Sequence, residues 1–288
     1  MPNLQLDWQQ SAVLAVVLIG VAAAAARVRG ESPTSRRVRA LAPFGHEAGI
    51  IAVLYSLWML AATLAENRTS GAFQRGRWIH RTERTWHLPS EKTLQDGLLH
   101  HRLLAESANL YYATMHFTAL FVFLLWLFIR HRDRYKAVRT TVAIFTALSL
   151  LIQFIPVAPP RLLPEFGYVD VAQRFGQSVY TLGAVSADQL SAMPSVHVGW
   201  AVLIGAAIVL ISTSPWRWLF LLHPVMTVYV VTATANHWWA DGIVSAALVA
   251  LVATTQWIWV HSRRRRAPSP VPAGADPLDD PAQAPVSS

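Results

Sequence analysis

Seven times along the chain an apolar run recurs that is long enough to cross a membrane. Each run is roughly 18–23 residues, about what a helix needs to span the hydrocarbon core of a bilayer. They lie near 9–27, 46–65, 109–130, 138–156, 195–213, 216–235 and 238–260. In lipid no water satisfies backbone N–H and C=O groups, so runs of this length fold as helices. The expected fold is all-α, a polytopic membrane helix bundle of about six or seven transmembrane helices. The count turns on the last three runs, which are parted only by short breaks at 212–216 and around Asn236. Six spans plus one interfacial helix is the alternative. Composition agrees: 53% of the 288 residues are hydrophobic and 14% are charged, against about 25% charged in a soluble domain. The chain has no cysteine, which excludes a disulfide scaffold, a cysteine nucleophile, iron–sulfur clusters and thiolate zinc sites.

The net charge is +8, and 22 of the 24 basic residues are arginine. They stand in short clusters beside the apolar runs, a pattern of membrane topology rather than of a nucleic-acid face, so no nucleic-acid partner is expected. Residues 1–8 hold no Lys or Arg, so the first run lacks the basic leader of a signal peptide. The basic cluster follows the run instead (Arg27, Arg29, Arg36, Arg37, Arg39), which favours an uncleaved helix with its N-terminus outside. Seven spans from that start place fifteen basic residues on the cytoplasmic side and nine outside, with the C-terminus cytoplasmic. Seven of the nine fall in the long 66–107 stretch, which weighs little in the positive-inside rule. That stretch sets five acidic and seven basic residues around Trp78, Trp86, Leu98 and Leu99. It reads as one or two amphipathic helices on the outer surface, or as a solvated loop. The chain then divides into N-terminal transmembrane helices (1–65), an outer-surface amphipathic segment (66–107), a catalytic bundle (108–260) and a cytoplasmic tail (261–288). Residues 267–288, rich in Pro, Ala and Asp, are expected to be disordered. The bias to Arg over Lys points to a GC-rich, bacterial source and hence to a plasma membrane.

Polar residues within spans are costly and mark function by default. Three groups stand out, all at the outer ends of spans. MPSVH at 193–197 opens the fifth span, with Pro194 at the helix start and Ser195 and His197 in a first turn that favours an anion. An N-cap serine beside an interfacial histidine is the plainer alternative. NHWWAD at 236–241 opens the last span, and the i,i+4 spacing puts His237 and Asp241 on one face. An aspartate on the far ring nitrogen fixes the tautomer and stabilises positive charge when the near nitrogen reacts; a purely structural hydrogen bond would use the same spacing. APPRLLP at 158–164 holds Arg161 in a stiff loop, suited to gripping phosphate or simply to pinning an interfacial arginine. Tyr112 and His116, also i,i+4, lie one to two turns into the third span, as pocket residues or as interhelix hydrogen-bond partners. Trp238 and Trp239 fit an interfacial aromatic belt.

At these residues the chain resembles the type 2 phosphatidic acid phosphatase superfamily. PSVH at 194–197 matches that family's second motif, Pro-Ser-x-His, and His237 and Asp241 match the end of its third. The third motif's Ser-Arg pair falls on Val230 and Val231, and the first motif's lysine and proline fall on Phe154 and Leu162 around Arg161. These departures resemble the branch of inositol phosphorylceramide synthases and their bacterial relatives, as do PSVHVGWA at 194–201, the 79–95 stretch and the pair Tyr112 and His116. Loss of two family basic residues leaves Arg161 as the phosphate clamp, with Arg102, Arg174 or His116 as candidate substitutes.

The resemblance implies an integral membrane lipid phosphatase or phosphotransferase with a His-His-Asp triad and no metal or cofactor. His237, oriented by Asp241, would attack phosphorus and form a phosphohistidine. His197 would act as general acid and then base, and Ser195 and Arg161 would stabilise the phosphoryl oxygens. The partners implied are a membrane lipid phosphate and a lipid or polyol hydroxyl as acceptor, with water in its place for simple hydrolysis of phosphatidate or polyprenyl diphosphate. A metal-dependent hydrolase using two histidines and a carboxylate, and a non-enzymatic lipid transporter or scaffold, are the readings of other classes.

Overall fold

The computed structural model describes residues 6–65, 70–177 and 189–266. The fold is an all-α polytopic membrane bundle. Helices α1 (Trp8–Ala26) and α2 (Pro33–Ala65) form an N-terminal hairpin, and α3 (Ala72–Thr85) and α4 (Glu91–Leu99) cross one end of the bundle. The bundle itself is α5 (Arg102–Arg130), α6 (Arg132–Gln153), α8 (Val196–Ile211), α9 (Leu222–Ala233) and α10 (Trp239–Arg266), with the short helix α7 (Val171–Arg174) in the loop between α6 and α8.

Among the described residues five helices are long and apolar enough to cross a membrane: α1, α2, α5, α6 and α10. The other two expected spans come out shorter. α8 is an apolar helix of 16 residues. The 216–235 run divides into a 3-10 segment, Pro215–Leu221, and the 12-residue α9. Pro224 explains the break, because its ring would clash with the carbonyl of residue 220 in a continuous α-helix and it has no N–H to donate. α2 also departs from expectation: it begins at Pro33, so Arg36, Arg37 and Arg39 sit on its first turns rather than in a loop. α10 runs through Arg266, taking residues 261–266 from the expected tail, while 267–288 lie outside the described residues.

Exposed tryptophans mark two levels. Trp78 and Trp86 stand at the end covered by α3 and α4, and Trp216, Trp218, Trp257 and Trp259 at the other, as an interfacial belt requires. Trp238 does not belong to that belt. It is 1% exposed, and its indole N–H donates to the Ala158 carbonyl at 2.9 Å.

The bundle core joins Phe123, Leu127 and Phe128 of α5, Tyr135, Val142 and Phe145 of α6, Trp200, Leu203 and Ile204 of α8, and Val249 of α10. Gly199 lets α8 close against α6, since a Cβ there would lie 2.0 Å from Phe145 Cζ. In chain order α5, α8 and α10 run away from the α3–α4 end, and α6 and α9 run towards it. The starts of the first three, the end of α9 and the loop after α6 therefore meet at one level.

Candidate functional site

Three loops interlock at that level. The proline-rich loop after α6 pairs with the strand-like segment before α8: Val157 N–H donates to Leu190 O at 2.6 Å, and Ala192 N–H donates back to Val157 O at 3.2 Å. The loop is also joined to the turn before α10 by the Arg161 N–H, which donates to Ala235 O at 2.9 Å. That turn is a helix stop in the Schellman pattern. Ala235 N–H donates to Thr232 O and Asn236 N–H to Val231 O, with Ala235 at φ +57°. Ala235 occupies a position that usually favours glycine, yet it is fully buried against Ile79, Leu163 and Trp238, where its methyl group packs.

The turn delivers His237 and Asp241 to the head of α10. Asp241 Oδ2 accepts from Trp238 N–H at 2.8 Å, which closes the first turn of the helix as the acidic half of a capping box does. The same oxygen lies 3.3 Å from His237 Nδ1. The shorter contact of Nδ1, 2.8 Å, is to the backbone carbonyl of Ala192. Both partners accept, so Nδ1 carries the proton and Nε2 presents its lone pair. His237 Nε2 is buried with no hydrogen-bond partner. Asp241 is thus where its spacing predicted, and the Ala192 carbonyl, which has no side-chain signature, shares its work.

His197 stands on the first turn of α8, with its ring centroid 5.6 Å from that of His237. Tyr112 stacks on it at 4.4 Å, and His116 lies against it at 4.1 Å. The structure therefore brings together His237, Asp241, His197, Tyr112 and His116, with the two α5 residues as the wall of the site. His116 Nδ1 donates to the Tyr112 carbonyl at 3.1 Å, which leaves its Nε2 as the acceptor.

Ser195 is the N-cap of α8, so Pro194 precedes the helix rather than opening it. The Ser195 hydroxyl accepts from Val198 N–H at 3.4 Å, and Ser195 N–H donates to the Asp241 carbonyl at 3.2 Å. That last bond ties the two histidine motifs together through their backbones. Arg161 is buried beside the turn that carries His237. Its Nε donates to Asn236 Oδ1 at 2.9 Å, and one terminal nitrogen donates to Asp170 Oδ2 at 3.0 Å. Asp170 itself caps α7 through Gln173 N–H. The clamp is thus held by a carboxylate and an amide next to His237. Of the candidate substitutes, His116 reaches the site, Arg102 pairs with Glu106 on the outside of α5, and Arg174 is exposed on α7.

Sequence reasoning missed the underside of the site. The 66–107 segment does form two helices, but their inner faces are polar as well as apolar. α3 buries Ala72, Gly76, Ile79 and Glu83, and α4 buries Glu91, Gln95 and Leu98. Gln95 bonds both polar groups of the Val169 backbone, Glu83 accepts from Ala240 N–H at 2.7 Å, and Glu91 accepts from the Tyr168 hydroxyl and Arg84. His80 stacks on Phe166 at 4.0 Å and meets Trp238 edge-on. Burial, reinforced by the Arg84 charge, holds His80 below the usual imidazole range, and burial with the Glu91 charge pushes the Tyr168 phenol above its ordinary value. A signal was present: Ala72, Gly76, Ile79 and Glu83 recur at the period of one helix face, which places Glu83 on the packed side.

Fold and site together define a membrane helix bundle with two histidines and an aspartate gathered at one end. Residues 77–255 match the family model described as the PAP2 superfamily, and the chain belongs to that superfamily. In general class it is a phosphatase-type enzyme of lipid phosphates. No curated protein and no solved structure matched the chain. The α1–α2 hairpin lies outside the matched residues.

Proposed function

We propose that the protein is a lipid-phosphate phosphatase or phosphotransferase that works through a phosphohistidine on His237. The observation that carries this reading is the state of His237: Nδ1 is committed to Ala192 O and Asp241, while Nε2 is buried, without a partner, on a ring that neighbours His197. In the first half-reaction Nε2 attacks phosphorus and the bond from phosphorus to the leaving oxygen breaks. His197, entering protonated, gives that oxygen its proton. The cation formed on His237 is stabilised by Asp241 through Nδ1–H. In the second half a hydroxyl attacks the phosphohistidine, His197 takes its proton back, and His237 is released neutral. Arg161 and Ser195 serve the equatorial oxygens, with Arg161 positioned through Asn236. Tyr112 and His116 line the pocket and hold the His197 ring.

The acceptor decides between hydrolysis and transfer. The motif departures around Arg161 and at Val230 and Val231 favour headgroup transfer of the inositolphosphotransferase type, with water and a simple phosphatidate or polyprenyl diphosphate phosphatase as the alternative. The positive-inside count favours a plasma membrane with the N-terminus out, the C-terminus in and the site extracytoplasmic. Because the chain has no cysteine, single cysteines placed beside Arg29 and Trp86 would report the side of each by labelling intact cells.

The test is turnover of phosphatidic acid, a polyprenyl diphosphate and phosphatidylinositol by purified protein, with and without EDTA, read as free phosphate and new lipids by mass spectrometry. EDTA-resistant turnover that His237→Ala abolishes supports the histidine mechanism. Free phosphate then marks the phosphatase, and a new phospholipid without it marks the transferase. Turnover lost to EDTA, or unchanged in His237→Ala, would overturn the reading.

A further inference from the structure

Under the head of α10 two carboxyl groups lie buried side by side. Glu83 of α3 and Glu91 of α4 are 1% and 0% exposed, and an account of their four oxygens leaves two without donors. Glu83 Oε1 accepts the Ala240 N–H. Glu91 Oε2 accepts from the Arg84 guanidinium and the Tyr168 hydroxyl, each at 3.0 Å. Glu83 Oε2 and Glu91 Oε1 are buried with no donor, and the two carboxyls are near enough for each to act on the charge of the other. Ionised carboxylates only accept, so one proton held between these two bare oxygens would satisfy both. The surroundings cannot neutralise two carboxylates as well as a third. Arg84 is a cation bonded to Glu91. His80 on α3 and Tyr168 in the loop before α7 stand beside it, and Asp241 adds its negative field from α10.

We propose that Glu83 is a positioning residue for the His237 site: as a carboxylic acid it donates to Glu91 and accepts from Ala240 N–H, and so clamps α3 onto the first turn of α10. Ala240 immediately precedes Asp241, so the clamp sets the register in which Asp241 meets His237. Burial pushes the Glu83 carboxyl up to about 9, with Glu91 and Asp241 acting in the same direction against the Ala240 N–H. Loss of the proton would bring two like charges into contact in a buried place, and α3 would separate from α10. The site then fails on the alkaline side.

The inference rests on the phosphohistidine reading for its activity arm and stands alone for its proton. Glu83→Gln mimics the protonated acid, because the amide NH2 can donate to Glu91 while the carbonyl still accepts from Ala240. The experiment compares wild type, Glu83→Gln and Glu83→Ala as full chains in nanodiscs. It records the infrared band of protonated carboxyl groups, and kcat and KM on phosphatidic acid, from about pH 7 to about pH 10. The wild type is expected to lose one buried carboxyl band with a midpoint near 9, and that loss is absent from Glu83→Gln. Wild-type kcat falls with the same midpoint. Glu83→Gln keeps kcat within about threefold at neutral pH and carries its alkaline limb upward by at least about one unit. Glu83→Ala loses about tenfold or more in kcat with little change in KM, as loss of alignment rather than of binding requires. The proposal is overturned if the wild type shows no such band, if Glu83→Gln titrates like the wild type, or if Glu83→Ala turns over normally. Should the band behave as stated while no variant hydrolyses phosphatidic acid, the shared proton stands and the lipid-phosphate reading fails for that substrate.

Discussion

Where the α1–α2 hairpin meets the bundle, Phe44 lies edge-on to Phe128, Trp58 rests against Phe117 and Trp200, and Glu47 pairs with Arg139 and the Tyr135 hydroxyl. The remainder of the hairpin packs on itself and presents apolar side chains outward. At the α3–α4 end of the bundle, loops drawn from far-apart stretches of the chain exchange backbone and side-chain hydrogen bonds, and buried polar side chains such as Glu91, Gln95 and Arg161 are hydrogen-bonded. The first arrangement resists little when one side chain changes, because lipid and interface aromatics hold the helices in place. The second is a network in which each member fixes the next, and a deletion leaves a buried polar atom without its partner. The matched family residues take in the second region and leave out the hairpin itself.

The largest effect expected from this contrast is on chemistry. His237→Ala should lower kcat by at least about a thousandfold, while Phe44→Ala on the seam with the hairpin changes it by no more than about threefold. Phosphate release from a lipid substrate measures both. Equal losses would dissolve the distinction between the regions.

Asp241→Asn sharpens it from inside the site. Because the Ala192 carbonyl keeps the proton on Nδ1, the expected loss is about a hundredfold, below that of His237→Ala. A loss as deep as His237→Ala would mean that the carbonyl does not hold the tautomer.

Stability gives the next contrast. Gly199→Ala would drive a Cβ into Phe145 and Ser245, and should cost about 1–3 kcal/mol, read as a lower Tm. Gly20→Ala in α1 meets nothing within 4 Å and should gain up to about 1 kcal/mol from helix propensity. A cost at Gly20 would reveal packing of the hairpin that its surroundings do not show.

The smallest expected effect is that of pH on folding. Glu83 has a folded value of about 9, against roughly 4.3 for an exposed glutamate. Between those values the folded state binds more protons than the unfolded one, so the contribution is complete below the lower value and fades as pH rises through the upper. Tm should drift downward across that window in the wild type, and the drift should be shallower in Glu83→Gln.

Much of this was legible in advance because it is local. Helix starts, the i,i+4 pairing of His237 with Asp241, the N-cap at Ser195 and the arginine in its proline loop all follow from spacing within a few residues. The parts that escaped depend on contacts between distant segments. Ala192 contributes only a carbonyl, and any residue has one. Glu83 and Glu91 sit in a charged amphipathic stretch whose polar residues read as solvent-facing, although the Ala72–Gly76–Ile79 stripe already placed Glu83 on the packed side. The shortening of the 216–235 run could have been read from Pro224, which a hydropathy count passes over.

The bond from Ala240 to Glu83 joins residues 157 positions apart, and α10 is the last helix among the described residues. During synthesis α3 and α4 therefore emerge with two acids destined for the interior but nothing yet to dock against. His237 and Asp241 are made only after α9, the former just before and the latter within α10. Until that segment is made, Glu83 lacks its Ala240 donor and His197 lacks its neighbour His237, so the buried acid and the site are completed together.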